Sequence, residues 1–198
     1  MLAVYTAGFA VEFIGVRYGI PFGGYRFTPL LGYRLADTVP LLIPLSWFNI
    51  AFPSFMLAGL AIPSPARPRR LQKAAFGSFL MLVCDLSLDP VMAHQLPFWV
   101  WETHGIFYGI PISNFLGWFI TGLLLMLILD FLADVRPSNP EETSWMIAHY
   151  GATIWVSLGV ALICGLWLSV ILTALGLGLA WAFIRFYPTQ NRAEARRG

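Results

Sequence analysis

Long apolar runs, separated by short stretches rich in charge, proline or glycine, organise this chain. Met1 to Val16 is apolar apart from Thr6 and Glu12. At 1.5 Å per residue such a helix covers roughly 24 Å, slightly short of a ~30 Å hydrocarbon core. Arg17 to Ala36 then reads as a loop dense in glycine and aromatics. Asp37 and Thr38 are placed to cap a second helix, with Pro40 in its first turn, running to about Ile62. Pro44 and Pro53 are each expected to kink it, because proline removes a backbone donor and clashes with the preceding turn. Pro63 to Lys73 reads as a basic loop, and Ala74 to about Val91 as a third helix. A polar segment follows, and Ser113 or Asn114 opens a fourth helix that reaches Asp134. After a turn at Arg136 to Thr143, the series Asn139, Pro140, Glu141, Glu142 marks a helix start. The run from Ser144 to Tyr187 holds 44 residues and one basic residue, Arg185. That length suits two helices and a tight turn, for which Gly165 is a suitable position.

The expected fold is all-α: a polytopic transmembrane bundle of about six helices, with a polar re-entrant or loop segment at 92–113. It reads as one integral-membrane domain over 1–198, without internal repeats. Composition supports this. The chain is 58% hydrophobic and 11% charged, with mean hydropathy +0.72, against about 25% charged residues in soluble domains. The apolar runs lack the two-residue alternation of a barrel strand, so helices are expected. Six crossings would put nine basic residues on one side (Arg67, Arg69, Arg70, Lys73, Arg136, Arg185, Arg192, Arg196 and Arg197) and three on the other (Arg17, Arg26 and Arg34). By the positive-inside rule both termini would be cytoplasmic, in the cell's inner or plasma membrane. The net charge of +2 comes without a basic, aromatic-interleaved surface tract, which argues against a nucleic-acid partner. Cys84 and Cys164 lie in apolar runs and read as small core residues. No cleavable signal is evident at Met1.

Polar chemistry concentrates between Cys84 and Trp118. Asp85 and Asp89 are four residues apart, on one helix face. Counted from Ala74, they lie roughly 16 and 22 Å into the helix. A carboxylate at that depth costs several kcal/mol unless paired or protonated. Pro90 frees the Leu86 carbonyl and disfavours a helical Asp89, so the backbone there is expected to line a cavity. The pair either does chemistry or merely hydrogen-bonds a neighbouring helix. Glu12 is either a second buried acid or an interfacial partner of Arg17. Glu102, among Trp99, Trp101 and His104, is either a site acid or a solvated loop residue. Asn114 is either a substrate contact or a helix cap. Asp130 and Asp134, near Arg136, suit an interfacial role. His94, His104 and His149 do not form the histidine arrays of di-iron membrane oxygenases, and no metal site is expected. Phosphate-cradling glycine loops and Asp-rich prenyl-transferase motifs are also missing. Most tryptophans suit the interfacial belt, and a few facing a cavity could stabilise a carbocation.

Three blocks, VEFIGVRYGIPFGGYRF (Val11–Phe27), LDP (Leu88–Pro90) and WVWETHGIFYGIPISNFLGWF (Trp99–Phe119), carry a resemblance. The chain resembles the carotenoid-biosynthesis membrane family of the γ-carotene 1′,2′-hydratase and bisanhydrobacterioruberin hydratase type. Family members usually carry further helices before the first block, so the chain is expected to be a short member or to share its pocket. The resemblance implies addition of water to the terminal C1–C2 double bond of an acyclic carotenoid ψ-end, with no cofactor. It implies an apolar polyene substrate entering from the lipid bilayer, and possible partner membrane enzymes of the same pathway. Asp89 would be the general acid and Asp85 its partner, with Glu12 and Glu102 positioning the water. Trp99, Trp101, Tyr108, Asn114 and Trp118 would line the substrate. The alternatives are a non-catalytic carotenoid-binding or scaffold subunit, and a transporter using Asp85 and Asp89 as a proton relay. The latter would show paired halves, and none is visible.

Overall fold

The computed structural model describes residues 1–62, 67–132 and 140–195, with the side chains of 67–68, 140 and 187–195 excepted. Six helices form in these residues: α1 (Leu2–Tyr18), α2 (Leu42–Ala61), α3 (Arg67–Asp89), α4 (Ile112–Leu132), α5 (Pro140–Ile163) and α6 (Trp167–Ala195). Four short strands accompany them: β1 (Tyr25–Phe27), β2 (Arg34–Leu35), β3 (Val39–Pro40) and β4 (Trp99–Trp101). Helices α2 to α6 contain five segments long and apolar enough to cross a membrane. The protein is a helical bundle of the multi-pass membrane class.

Helix α3 is the centre of the bundle. It packs against α2, α4, α5 and α6, and 67% of its apolar segment is buried, against 22% in α5 and α6. The outer helices instead turn residues such as Trp155, Ile163, Leu175 and Leu179 outward, as a lipid-facing surface requires.

Two prolines sit inside this packing, and other helices repair the damage each does. Pro53 leaves the Asn49 carbonyl of α2 without its helical donor. His149 Nε2 of α5 lies 3.3 Å from that carbonyl and 3.0 Å from Asn49 Oδ1. Both are acceptors, so Nε2 carries the proton. Pro90 does the same to Leu86, whose carbonyl accepts from Ser169 Oγ of α6 at 2.7 Å. Pro44 lies in the first turn of α2, where no intrahelical donor is needed. The expected break at Asp89 does not occur. Asp89 keeps helical angles (φ −64°, ψ −46°), and the chain widens into a π-helical turn over Pro90–Gln95. Leu96 N–H closes that turn on the Val91 carbonyl at 2.9 Å.

Several boundaries also differ from expectation. Asp37 does not cap α2. Ala36 and Asp37 have φ of 47° and 51° and make the turn of a β2–β3 hairpin. The Leu41 N–H extends that hairpin to the Tyr33 carbonyl, and α2 starts without a side-chain cap. Helix α3 begins at Arg67, well before Ala74, so only 63–66 of the expected basic loop lie outside the described residues. Arg70 and Lys73 extend its first turns and pair with Asp130 of α4, at 3.5 and 2.9 Å. Asn139, Asp134 and Arg136 lie outside the described residues. Gly165, at φ 71°, makes the expected turn between α5 and α6. Cys84 is buried, but Cys164 falls in that turn and is exposed rather than in a core.

Candidate active site

The loops 19–41 and 96–111 meet at one end of the bundle and close it. Strand β1 pairs antiparallel with β4, setting Tyr25 opposite Trp101 and Phe27 opposite Trp99. Successive strand residues point to opposite faces. Tyr25, Phe27, Trp99 and Trp101 therefore turn inward, over the ends of α1, α3 and α4. Together with α2 they enclose a cavity of about 210 Å³.

The cavity is apolar except at two walls. On one, Asp89 of α3 accepts at Oδ1 from Trp99 Nε1 at 2.7 Å and Trp101 Nε1 at 3.3 Å. Its Oδ2 accepts from Asn114 Nδ2 at 2.7 Å. The same Asn114 amide donates to Asp85 Oδ2 at 2.9 Å. Asp85 stands one turn behind Asp89, away from the cavity, and its Oδ1 is buried without a partner among the described residues. On the other wall, Glu12 of α1 accepts at Oε1 from Trp47 Nε1 of α2 at 2.8 Å. Its Oε2 accepts from the Tyr25 hydroxyl. Burial, then the adjacent Glu12 carboxylate, push the Tyr25 phenol far above its ordinary pKa, so Tyr25 is a neutral donor. All three acids and Asn114 are buried.

Aromatic rings join the walls. Tyr25 and Trp101 lie 5.2 Å apart between centroids, and Trp47 and Trp118 lie 4.4 Å apart. Two glycines permit the close approach. A Cβ on Gly15 would stand 2.6 Å from the Tyr25 hydroxyl, and one on Gly117 would press on the Phe22 ring.

The structure thus brings Asp85, Asp89, Glu12, Trp99, Trp101, Asn114 and Trp118 together, with Asp85 behind the cavity wall. Two residues fall elsewhere. Glu102 follows Trp101 in the alternation, so it points out and lies 3.8 Å from the exposed Arg26. Tyr108 sits at φ 51° in a tight loop, and its hydroxyl accepts from Leu168 N–H at the start of α6. Asn114 is no cap: it stands inside the first turn of α4 and reaches across to α3. Glu12 takes Trp47 and Tyr25 as partners instead of Arg17. Sequence reasoning missed Tyr25, Trp47 and Phe22. Tyr25 had a visible signal, the Tyr-x-Phe alternation, but no visible strand partner. Trp47 is a lone indole in an apolar helix.

A multi-pass bundle that holds two acids at the walls of an apolar cavity, with a third behind one of them, defines a membrane protein with a buried acid site. Residues 1–180 match the family described as carotenoid biosynthesis protein, and the chain belongs to that family. Bisanhydrobacterioruberin hydratase of Haloarcula japonica is 29% identical over 184 residues, which cover 91% of this chain and 62% of that protein. The chain therefore spans less than two thirds of the length of this curated relative. No solved structure matches.

Proposed function

We propose that this protein is a carotenoid hydratase, adding water to the terminal C1–C2 double bond of an acyclic ψ-end. One observation carries the reading: an apolar cavity in which two carboxyl groups, Asp89 and Glu12, face the same space from different helices, each already held by N–H or O–H donors. The name of the Haloarcula relative points the same way.

The chemistry needs a strong, desolvated acid and a placed water. Asp85 and Asp89 meet at one amide in a dry interior, where two full negative charges would repel at great cost. Both acids are then protonated at rest, and Asp89 delivers its proton to C2 while Asp85 keeps its own. The Asp89 carboxylate left behind is met by three N–H groups already aimed at it, a preorganised stabilisation that costs nothing at the moment of reaction. The tertiary cation at C1 lies among the π faces of Trp47, Trp101 and Trp118. The water oxygen bonds C1 and its proton passes to the Glu12 carboxylate. Glu12 then returns a proton through water in the shared cavity to Asp89, so one water is added, the resting acids are restored and no electrons change hands. Asp85 acts through Asp89 and is a positioning residue. On the loop charge bias, the site faces the non-cytoplasmic side, with both termini cytoplasmic. Partner enzymes of the same pathway would pass the polyene through the bilayer.

The test is expression in a host that accumulates lycopene or γ-carotene, with pigments read by mass spectrometry. A gain of one water per reacted end is expected, lost in Asp89→Asn while pigment binding persists. Pigment bound without any mass change would identify a non-catalytic carotenoid-binding subunit instead.

A further inference from the structure

The cavity is closed at its polar end and open at the other. Glu12, Trp47, Asp89 and Asn114 are each at most 7% exposed. The opposite lining residues lie in the first turns of α2, where Leu42 is 54% exposed, Ser46 is exposed and Ile43 is partly so. Their neighbours Leu41 and Leu45 are exposed as well. Exposed leucines at the start of a membrane-crossing helix face lipid rather than water. The open side therefore lies against the first turns of an apolar span.

Size limits what passes. A cavity of about 150 Å³ holds one benzene-sized ligand, so about 210 Å³ holds a branched end group and not a long chain. Resting on the hydratase reading, we propose that the polyene enters end first through this lipid-facing mouth, and that Leu42, Ile43 and Ser46 set which end groups pass. The rest of the polyene stays in lipid along α2. The reacting double bond stops at the closed end, between Asp89 and Glu12. Ser46 suits a rim position, since its hydroxyl turns back on the Ile43 carbonyl at 2.8 Å and leaves a small, apolar outline.

The test uses full-length protein in lipid vesicles with lycopene as the probe. Ser46→Phe narrows the mouth, and Leu42→Phe does so from the adjoining turn. Leu175→Phe adds the same ring on the outward face of α6, away from the mouth. Hydration gives kcat/KM, and quenching of tryptophan fluorescence by the polyene gives binding without turnover. Ser46→Phe should lower kcat/KM at least tenfold and weaken quenching in parallel. Leu42→Phe should follow it, and Leu175→Phe should stay within twofold of the parent. A folded Ser46→Phe that binds and hydrates like the parent overturns the mouth and leaves the hydratase reading standing. Binding by the parent without hydration, blocked by Ser46→Phe, overturns the hydratase reading and supports the mouth. A parent that neither binds nor hydrates overturns both.

Discussion

Ser169 donates to the carbonyl of Leu86 at 2.7 Å, and that carbonyl is the one Pro90 deprives of its helical donor. The proline thus costs the bundle little, because α6 supplies what α3 lost. It also releases the chain after Asp89 into the wider π-helical turn that carries it over the cavity. Ser169→Ala would leave a part-buried carbonyl unpaired, which costs about 1 kcal/mol. The expected outcome is a lower melting temperature in detergent, with turnover per folded molecule unchanged. A variant that melts like the parent would show that Leu86 finds another donor.

Asn114 carries a heavier load, because one amide holds two carboxyl groups. Asn114→Leu keeps the volume and removes both donors. Leaving two buried carboxyl groups without this donor costs about 1–3 kcal/mol for each. Hydration should fall with stability, and no compensating substitution of Asp89 alone should restore it. The double variant Asn114→Leu, Asp85→Leu should melt higher than Asn114→Leu, since it removes the acid left stranded. Melting curves of the three proteins check this, and equal curves would mean that Asn114 does not bind the pair.

The two indoles on Asp89 differ in length and should differ in effect. Trp99→Phe removes a 2.7 Å donor and Trp101→Phe a 3.3 Å one, while each keeps a ring in place. Loss of a well-placed donor to a developing charge costs about 10²–10³ in kcat. Trp99→Phe should reach that range, and Trp101→Phe should cost about tenfold, as a longer bond contributes less. Single-turnover hydration rates read the order directly. Equal losses would mean the donors act only by packing.

Much of this site is legible in the chain itself. Acids inside an apolar helix at Asp85 and Asp89 must find partners, and Asn114 and the two indoles of Trp99–Trp101 stand within the next 29 residues. The helices α1, α2, α4, α5 and α6 follow from apolar run length. What escapes is tertiary. Pairing of β1 with β4 joins residues over 70 positions apart, and three-residue strands carry no period strong enough to show a partner. That pairing decides which side of the WVWE stretch faces in, so Glu102 turns out and Tyr25 turns in. The start of α3 escapes for the same reason: Asp130 anchors Arg70 and Lys73 from another helix. Asp37 shows local chemistry overruled, since a capping residue serves equally in a tight turn with positive φ.

Glu12 and Tyr25 allow a sharper test, because the donor can be displaced from two directions. The Tyr25 ring is fixed by Phe22, Phe27 and Trp101, so its hydroxyl cannot simply swing aside. A methyl at Gly15 would stand 2.6 Å from that hydroxyl and 3.0 Å from the Phe22 ring, closer than carbon packs. Gly15→Ala should push Tyr25 off Glu12, although alanine suits the helix better than glycine by about 1 kcal/mol. Tyr25→Phe removes the same hydrogen bond and, with it, the nearest of the atoms that the methyl strikes. If Tyr25 acts by holding Glu12, each single variant lowers kcat by a similar factor and leaves polyene binding intact. The double variant should then be no worse than Tyr25→Phe alone, since neighbouring substitutions that remove one interaction do not add. Losses that multiply in the double variant would instead mean that Gly15→Ala acts on the bundle and not through Tyr25.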